Sequence, residues 1–446
     1  MTQVPGPAYR EMLHPELLSP TIRRMAAAAR ADEFDPANLF NITWRNPEGV
    51  THHVVLPTAL TGVDANIIVM TGACFPSGSH KVGPAYATLM EAELNGEIEP
   101  GANTILGPST GNFGIGAAYV ARLKGYDAVV IMPRGMSAER YHRIRKYGAG
   151  LDLTEGSESD VIRVLERTEE LKKDPRNKVL AQFELFPNYR FHRFVTGRSA
   201  LSLARKYGDG RIAAFVSAPG SAGTLAAGDE IKTSYSDCVV CAVEPEECST
   251  LFNNGCGTHA IEGIGDNMVT LIHNILTTDF VQTVRDSDCL AGLDILQYRA
   301  EFVEERLELG AGSLQPLQGL FGISGLCNVL AAIRLARFLD LGPRDNVVTV
   351  ATDGFDRYPS VLAKLPPLHD RFESVFRAFD RSKILDVRPP EQKERLFGYK
   401  EALWTRFNYT RAYLDRMKSQ SFWEAEYAKI PAIDDALQRS QVAAAC

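Results

Sequence analysis

Long apolar runs are missing from this chain. No stretch reaches the ~18–20 consecutive apolar residues that a membrane-crossing helix needs, and the most apolar helical segment, 326–339, is interrupted by Arg334 and Arg337. Cysteine is sparse, with 8 scattered through 446 residues, too few for a disulfide scaffold. Cys238 and Cys241 share one strand-like run, Cys-Val-Val-Cys. The two-residue period of a strand sets them on opposite faces, so they read as core thiols rather than half of a metal site. Positive charge is not in excess either. The 48 Lys and Arg against 55 Asp and Glu leave a net charge of −7, with no basic groove or aromatic ladder for nucleic acid. The first twenty residues lack the basic head, apolar stretch and small-residue cleavage site of a secretory signal. The expected compartment is therefore the cytoplasm, with neither membrane nor nucleic acid as a partner. His52 and His53 have no cysteine or carboxylate at ligand spacing, so no metal site is expected.

What is present is core-forming material: 45% apolar residues, with 21 Phe and 15 Tyr. The length is about three times that of a ~150-residue domain, which predicts two or three domains. From residue 67 onward, short apolar runs at 67–70, 104–107, 128–132, 213–218, 238–244 and 347–352 alternate with helical patterns at 84–96, 114–124, 138–147, 160–171, 197–206 and 326–339. That rhythm predicts an α/β fold around mostly parallel sheet. Residues 1–60 read as an N-terminal extension, helical near 20–32. Residues 361–446 read as helices rich in aromatics, with no strand; Phe376, Trp404, Phe407, Tyr409, Tyr413, Phe422 and Trp423 are expected to pack a helical layer or a dimer surface.

Three small-residue loops follow strand-like runs, where open α/β sheets place their ligands. In Ser217-Ala-Pro-Gly-Ser-Ala-Gly-Thr224, backbone N–H groups can converge at a helix start, with the Ser221 and Thr224 hydroxyls as further donors. This suits a phosphate, and a plain structural turn would explain the glycines equally well. Gly107-Pro-Ser-Thr-Gly-Asn-Phe-Gly114 offers Ser109, Thr110 and Asn112 at the next helix start, either to an anionic ligand or as a helix cap. In Phe75-Pro-Ser-Gly-Ser-His-Lys-Val-Gly-Pro84, Lys81 is either an exposed charge or an amine for Schiff-base chemistry.

Taken in this order, the three loops resemble those of the fold-type-II pyridoxal-phosphate enzymes, in the cysteine synthase / cystathionine β-synthase group. Further colinear segments carry the likeness: Met136–Thr154, Gln182-Phe-Glu184 with Thr196-Gly197, Val243-Glu-Pro245, His259-Ala-Ile-Glu-Gly-Ile-Gly265, Gly322-Ile-Ser-Gly325 and Thr352–Ser360. The resemblance spans roughly residues 60–360. It implies a tryptophan synthase β-like architecture: two open, twisted, mostly parallel sheets flanked by helices, with helical terminal extensions. It also implies pyridoxal 5′-phosphate as cofactor, with Lys81 as the Schiff-base lysine and general base. Gly220, Ser221, Ala222, Gly223 and Thr224 would cradle the phosphate, Asn112 would lie by the 3′-oxygen, and Ser324 would face the pyridine nitrogen. Ser109, Thr110, Gly111, Asn112, Phe113 and Gln182 would meet the substrate.

The implied organisation is a cofactor-binding domain of residues 61–83 and 201–360, and a smaller domain of residues 84–200 that closes over the substrate. The implied chemistry is β-replacement on serine, an O-activated serine or a related amino acid, through an aminoacrylate intermediate and a small nucleophile. The nearest alternative is a β- or γ-eliminating lyase or a Ser/Thr dehydratase, releasing keto acid and ammonia; further off is a non-catalytic binding protein on the same fold. Departures bear on the substrate. Phe75 precedes the lysine loop where Asn or His is usual, and Phe113 adds apolar volume where the synthases usually carry Thr. His80 and His259 either touch the substrate or pack within the fold. A homodimer is expected.

Overall fold

The computed structural model describes residues 4–365 and 371–445. Its strands are β1 (His53–Val55), β2 (Asn66–Thr71), β3 (Thr104–Pro108), β4 (Asp127–Pro133), β5 (Gly150–Thr154), β6 (Asn177–Val179), β7 (Ile212–Ser217), β8 (Val239–Pro245), β9 (Phe280–Val284), β10 (Asn346–Ala351) and β11 (Ile384–Asp386). They form a seven-stranded sheet in the order β1-β2-β10-β7-β8-β9-β11 and a four-stranded sheet in the order β5-β4-β3-β6. The smaller sheet is wholly parallel. The larger is parallel from β2 to β9, with antiparallel edges at β1 and β11. Every apolar run that signalled a strand forms one, since a strand buried on both faces must be apolar along its whole length. β10 is such a strand, buried at all six positions.

Two expectations change. The C-terminal region does contain a strand, because β11 pairs antiparallel with β9 through Ile384 and Gln282. Three residues are too short to show an alternating pattern, and the hydrogen bonds that define this strand come from a distant partner. The N-terminal stretch likewise supplies a sheet edge, with Val54 opposite Val69. Cys238 and Cys241 do fall on opposite sides of the large sheet, each in a different apolar cluster.

Helix Ile323–Phe338 lies buried against the large sheet. Its Asn328 ties three parts together: Nδ2 donates to the Val350 carbonyl at 2.7 Å, and Oδ1 accepts from the Ala218 N–H at 2.7 Å. The helix that carries Ser324 is thereby fixed to β10 and to the loop after β7.

The terminal segments are packed onto this frame. Trp404 and Trp423 are fully buried in a cluster with Leu165 of the smaller-sheet region, Phe186, Tyr189, Met268 and Leu271. The Trp404 indole donates to the Val269 carbonyl at 2.8 Å. Lys400 Nζ donates to the carbonyls of Leu271 and His273, and burial pushes its pKa down to about 7. At the other end, Asp434 accepts from the Tyr9 N–H at 2.7 Å, and the Trp44 indole donates to Thr196 at 2.9 Å. The aromatics at 404, 422 and 423 therefore belong to the interior of this chain.

Because this cluster joins the C-terminal helices to both sheet regions, Trp423→Ala is expected to destabilise the protein by ~3–5 kcal/mol. A lower urea midpoint with an unchanged slope is the expected readout; an unchanged midpoint would show that the cluster adds nothing to the fold.

Candidate active site

Parallel strands bring their carboxyl ends to one edge, and the three loops start there. β2 leads through 72–80 to Lys81, β7 leads to 218–224, and β10 leads to Thr352 and Asp353. Because β10 lies between β2 and β7, these chains are neighbours. The His80 N–H donates to the Thr352 carbonyl at 3.2 Å. From the other sheet, β3 delivers Ser109–Gly111 directly onto the start of helix Asn112–Lys124. A narrow cleft results, lined by Lys81, Ser109, Thr110, Gly111, Asn112, Phe113, Gln182, Gly220, Ser221, Gly263, Asp266 and Thr352.

The two sheets are bridged over this cleft by buried polar groups. Asn112 Nδ2 donates to Asp353 Oδ2 at 2.7 Å, and the same oxygen accepts from the Tyr358 hydroxyl at 2.8 Å. Arg140 lies above Gly111, donates to the Tyr358 hydroxyl at 3.1 Å and forms an ion pair with Glu262. The Gly263 N–H donates to Glu158 Oε1 at 2.6 Å. A side chain at Gly111 would run into Arg140, since its Cβ would lie 2.4 Å from Nε. Gly111 is there for clearance.

Around Gly220 the backbone is equally close. A Cβ at Gly220 would lie 2.5 Å from the Gly263 carbonyl, and one at Gly223 would lie 2.2 Å from Asn188 Oδ1. Ala222 adopts a left-handed conformation, φ 65°, at a cost of ~1–2 kcal/mol for a residue with a Cβ. Asn188 Nδ2 donates to Ser221 Oγ at 2.9 Å, and Ser217 donates to Thr224 Oγ1 at 2.7 Å. Buried polar atoms normally find partners, yet Asn112 Oδ1, Ser324 Oγ and Asp266 Oδ1 have none. Unpartnered polar atoms at positions 112 and 324, beside the small-residue loop that reaches the cleft at Gly220 and Ser221, fit a phosphate-bearing heterocycle with hydrogen-bonding oxygen and nitrogen atoms.

Burial dominates the electrostatics. Lys81 is pushed down to about 8 by loss of solvent, with Asp266 acting in the opposite sense. Asp266 is raised well above the usual carboxylate range by burial and then by Glu158, with Lys81 opposing. Glu158 is pushed up to about 7 by burial, with Arg140 opposing.

Of the residues anticipated from sequence, Lys81, Ser109, Thr110, Gly111, Asn112, Phe113, Gln182, Gly220 and Ser221 line the cleft. Ala222, Gly223, Thr224 and Ser324 lie outside that lining, as do both histidines. His80 is fully buried behind the lysine, its ring 5.4 Å from Trp44 and 5.2 Å from His192. His259 is spent inside its own loop: Nδ1 accepts from the Ile261 N–H, and Nε2 lies 3.1 Å from the Gly265 carbonyl. Asp266 was missed, although it directly follows the Gly-Ile-Gly265 segment. Glu158 was missed too; nothing in its local sequence marks it.

Imine formation needs the neutral amine. The rate at which the apo-protein reacts with pyridoxal phosphate is therefore expected to rise with pH through a midpoint near 8. Asp266→Asn removes an influence that raises the Lys81 pKa, so the midpoint should move down. A midpoint that stays or moves up would show that Asp266 does not act on Lys81.

Comparison with known proteins agrees with this geometry. Residues 45–353 match the family described as pyridoxal-phosphate dependent enzyme. A cysteine synthase of Staphylococcus aureus is 34% identical over 286 residues, which cover 64% of this chain and 84% of the relative. O-ureido-L-serine synthase, solved with O-ureido-L-serine bound, is 25% identical with a TM-score of 0.59, covering 70% of this chain and 90% of that one. A mutant hydrogen sulfide-producing enzyme, solved with an α-aminoacrylate intermediate, is 25% identical with a TM-score of 0.60, covering 75% and 92%. A buried lysine between two mostly parallel sheets, a small-residue loop beside it and a family match over most of the chain lead to one conclusion: this protein belongs to the fold-type-II pyridoxal-phosphate-dependent enzymes of the cysteine synthase family.

Proposed function

We propose that this enzyme carries out β-replacement on an O-activated serine such as O-acetylserine. The observation that carries the reading is the buried Lys81 amine lining the cleft; the family resemblance adds a hydroxyl, Ser324, rather than a carboxylate as the expected partner of the pyridine nitrogen. Pyridoxal 5′-phosphate, when bound, draws electrons away from the substrate's Cα. A neutral partner at the ring nitrogen limits how long that negative charge is held, which favours prompt departure of a β-substituent.

The chain's own residues supply the rest. Gly220, Ser221, Ala222, Gly223 and Thr224 hold the phosphate with backbone N–H groups and hydroxyls. Asn112, whose Nδ2 donates to Asp353, would accept through its unpartnered Oδ1 from the cofactor's 3′-hydroxyl. Ser109, Thr110 and the helix start at Gly111–Asn112 bind the substrate carboxylate, and Gln182 and Phe113 border its side chain. Lys81 Nζ, able to shed its proton near pH 8, takes the α-proton and later returns it. The Arg140–Glu262 pair and the Glu158–Gly263 hydrogen bond close residues 84–200 onto the remainder and keep water from the reacting centre.

The test is to titrate purified holoenzyme with O-acetylserine while recording its visible spectrum, then to analyse the product after adding an acceptor. A spectral change with acetate release, followed by a substituted amino acid, is the expected result. Pyruvate and ammonia as the sole products would contradict replacement and leave an eliminating lyase. Lys81→Ala is expected to lower turnover by at least ~10²–10⁴-fold, the usual contribution of a general base; unchanged turnover would remove Lys81 from the mechanism.

A further inference from the structure

A cavity in the N-terminal extension lies apart from the catalytic cleft and shares no lining residue with it. It opens between helix Pro20–Ala29 and the segment 43–49. Its volume of about 590 Å³ falls within the ~300–1,000 Å³ of small-molecule pockets. Leu18, Ala26 and Phe40, members of one hydrophobic cluster, give it an apolar floor. Arg23, Arg30 and Arg45 also line it, and none of the three forms an ion pair among the described residues. The Arg45 guanidinium is fixed by the Gly49 carbonyl, which accepts from Nη1 at 2.9 Å, while its buried Nε has no partner. A buried N–H normally has one. Two exposed carboxylates complete the lining: Glu16, which lies 2.8 Å from His14 Nδ1, and Glu48.

Each part of this lining answers to one part of a nucleotide. Guanidinium groups pair with phosphate oxygens through parallel N–H donors. A carboxylate accepts from a ribose hydroxyl, as in dinucleotide sites. The apolar floor offers a base the surface that ligand pockets use for a ligand's body. An inorganic anion would leave that floor uncovered, and a neutral apolar molecule would leave three guanidinium groups without a counter-charge. The back of the same wall meets the lysine loop. Residues 43 and 45 line the cavity, whereas Trp44 between them is fully buried. The Trp44 ring lies 5.0 Å from Phe75 and 5.4 Å from His80, the neighbour of Lys81. Its carbonyl accepts from the His52 N–H at 2.8 Å, and the His52 carbonyl accepts from the Thr71 N–H at 3.0 Å, at the end of β2. Burial raises the Cys74 thiol to about 12, and Arg30 is close enough to oppose it.

We propose that this cavity is an effector site for a nucleoside phosphate, with Arg23, Arg30 and Arg45 on the phosphates, and that its occupancy reaches the lysine loop through Trp44. The bound phosphate supplies the partner that Arg45 Nε lacks and draws the segment 43–49 towards the helix. Trp44 moves with that segment, and Phe75 and His80 rest on its ring. The effector thereby changes the setting of Lys81 without entering the cleft, which is a coupling between two separate sites.

The experiment titrates ADP into purified holoenzyme, following heat by calorimetry and the cofactor by its visible absorbance, with adenosine and inorganic phosphate as comparison ligands. No substrate is present, so the outcome does not depend on the reaction assigned above. ADP is expected to bind at least ~10-fold more tightly than either comparison ligand, since each of those leaves half of the lining unmatched. Arg45→Gln and Arg23→Gln, the latter at an exposed position, should each weaken ADP by ~10-fold or more, the loss expected for a charged hydrogen bond. ADP should also change the cofactor's visible band, and Trp44→Phe should bind ADP while losing most of that change. No binding at ~1 mM ADP, or an affinity unmoved in both arginine variants, would overturn the site. Inorganic phosphate or adenosine binding as tightly as ADP would overturn the nucleotide assignment. ADP binding that leaves the visible band untouched, or a change that persists in full in Trp44→Phe, would overturn the link to the lysine loop.

Discussion

The Lys81 amine is held out of water between two sheets, and the site depends on that burial. An exposed ammonium would stay charged well above neutral pH and could not act as base or nucleophile. Dry surroundings bring its pKa to about 8, and Asp266 limits the fall. The same dryness raises Asp266 and Glu158, so one amine and one carboxyl line the cleft, with a second carboxyl bound to Gly263 beside it. Every element near it serves this arrangement. The carboxyl ends of β2, β7 and β10 bring the loops together, and the polar bridges from Asn112, Arg140 and Glu158 seal them.

The terminal segments act on the same place from outside. Residues 269–278 follow Asp266 and run beneath the C-terminal helices. Trp404 binds the Val269 carbonyl, Lys400 those of Leu271 and His273, and Lys393 that of Ile275 at 2.7 Å. Apart from the short 3₁₀ turn Ile275–Thr277, this backbone run has no regular structure, and its buried carbonyls need such partners. The C-terminal region thereby fixes the chain that presents Asp266, which gives its aromatic packing a structural purpose. On the opposite side, Trp44 lies 5.0 Å from Phe75 and supports the lysine loop from behind.

Much of this was legible because it is local. Buried parallel strands must be apolar throughout, and phosphate-sized turns must be built of small residues, so the central strands and the loops at 75–84, 107–114 and 217–224 stand out in one dimension. What escaped is non-local. β11 exists only because β9 offers a free edge. His80 looks like a site residue beside Lys81, yet its ring is turned into the Trp44–His192 cluster. His259 sits in a glycine-rich loop whose own backbone consumes both ring nitrogens. Asp266 acquires meaning only when folding sets it opposite Lys81, and Glu158 only when Gly263 arrives to bind it.

The central claim is that Lys81, of all the lysines, carries the cofactor. Reduction of the holoenzyme with borohydride followed by peptide mapping tests it directly. The account predicts the reduced pyridoxyl-phosphate mass on the peptide containing Lys81 and on no other; the mass on a peptide containing Lys400, Lys393 or any other lysine would contradict it.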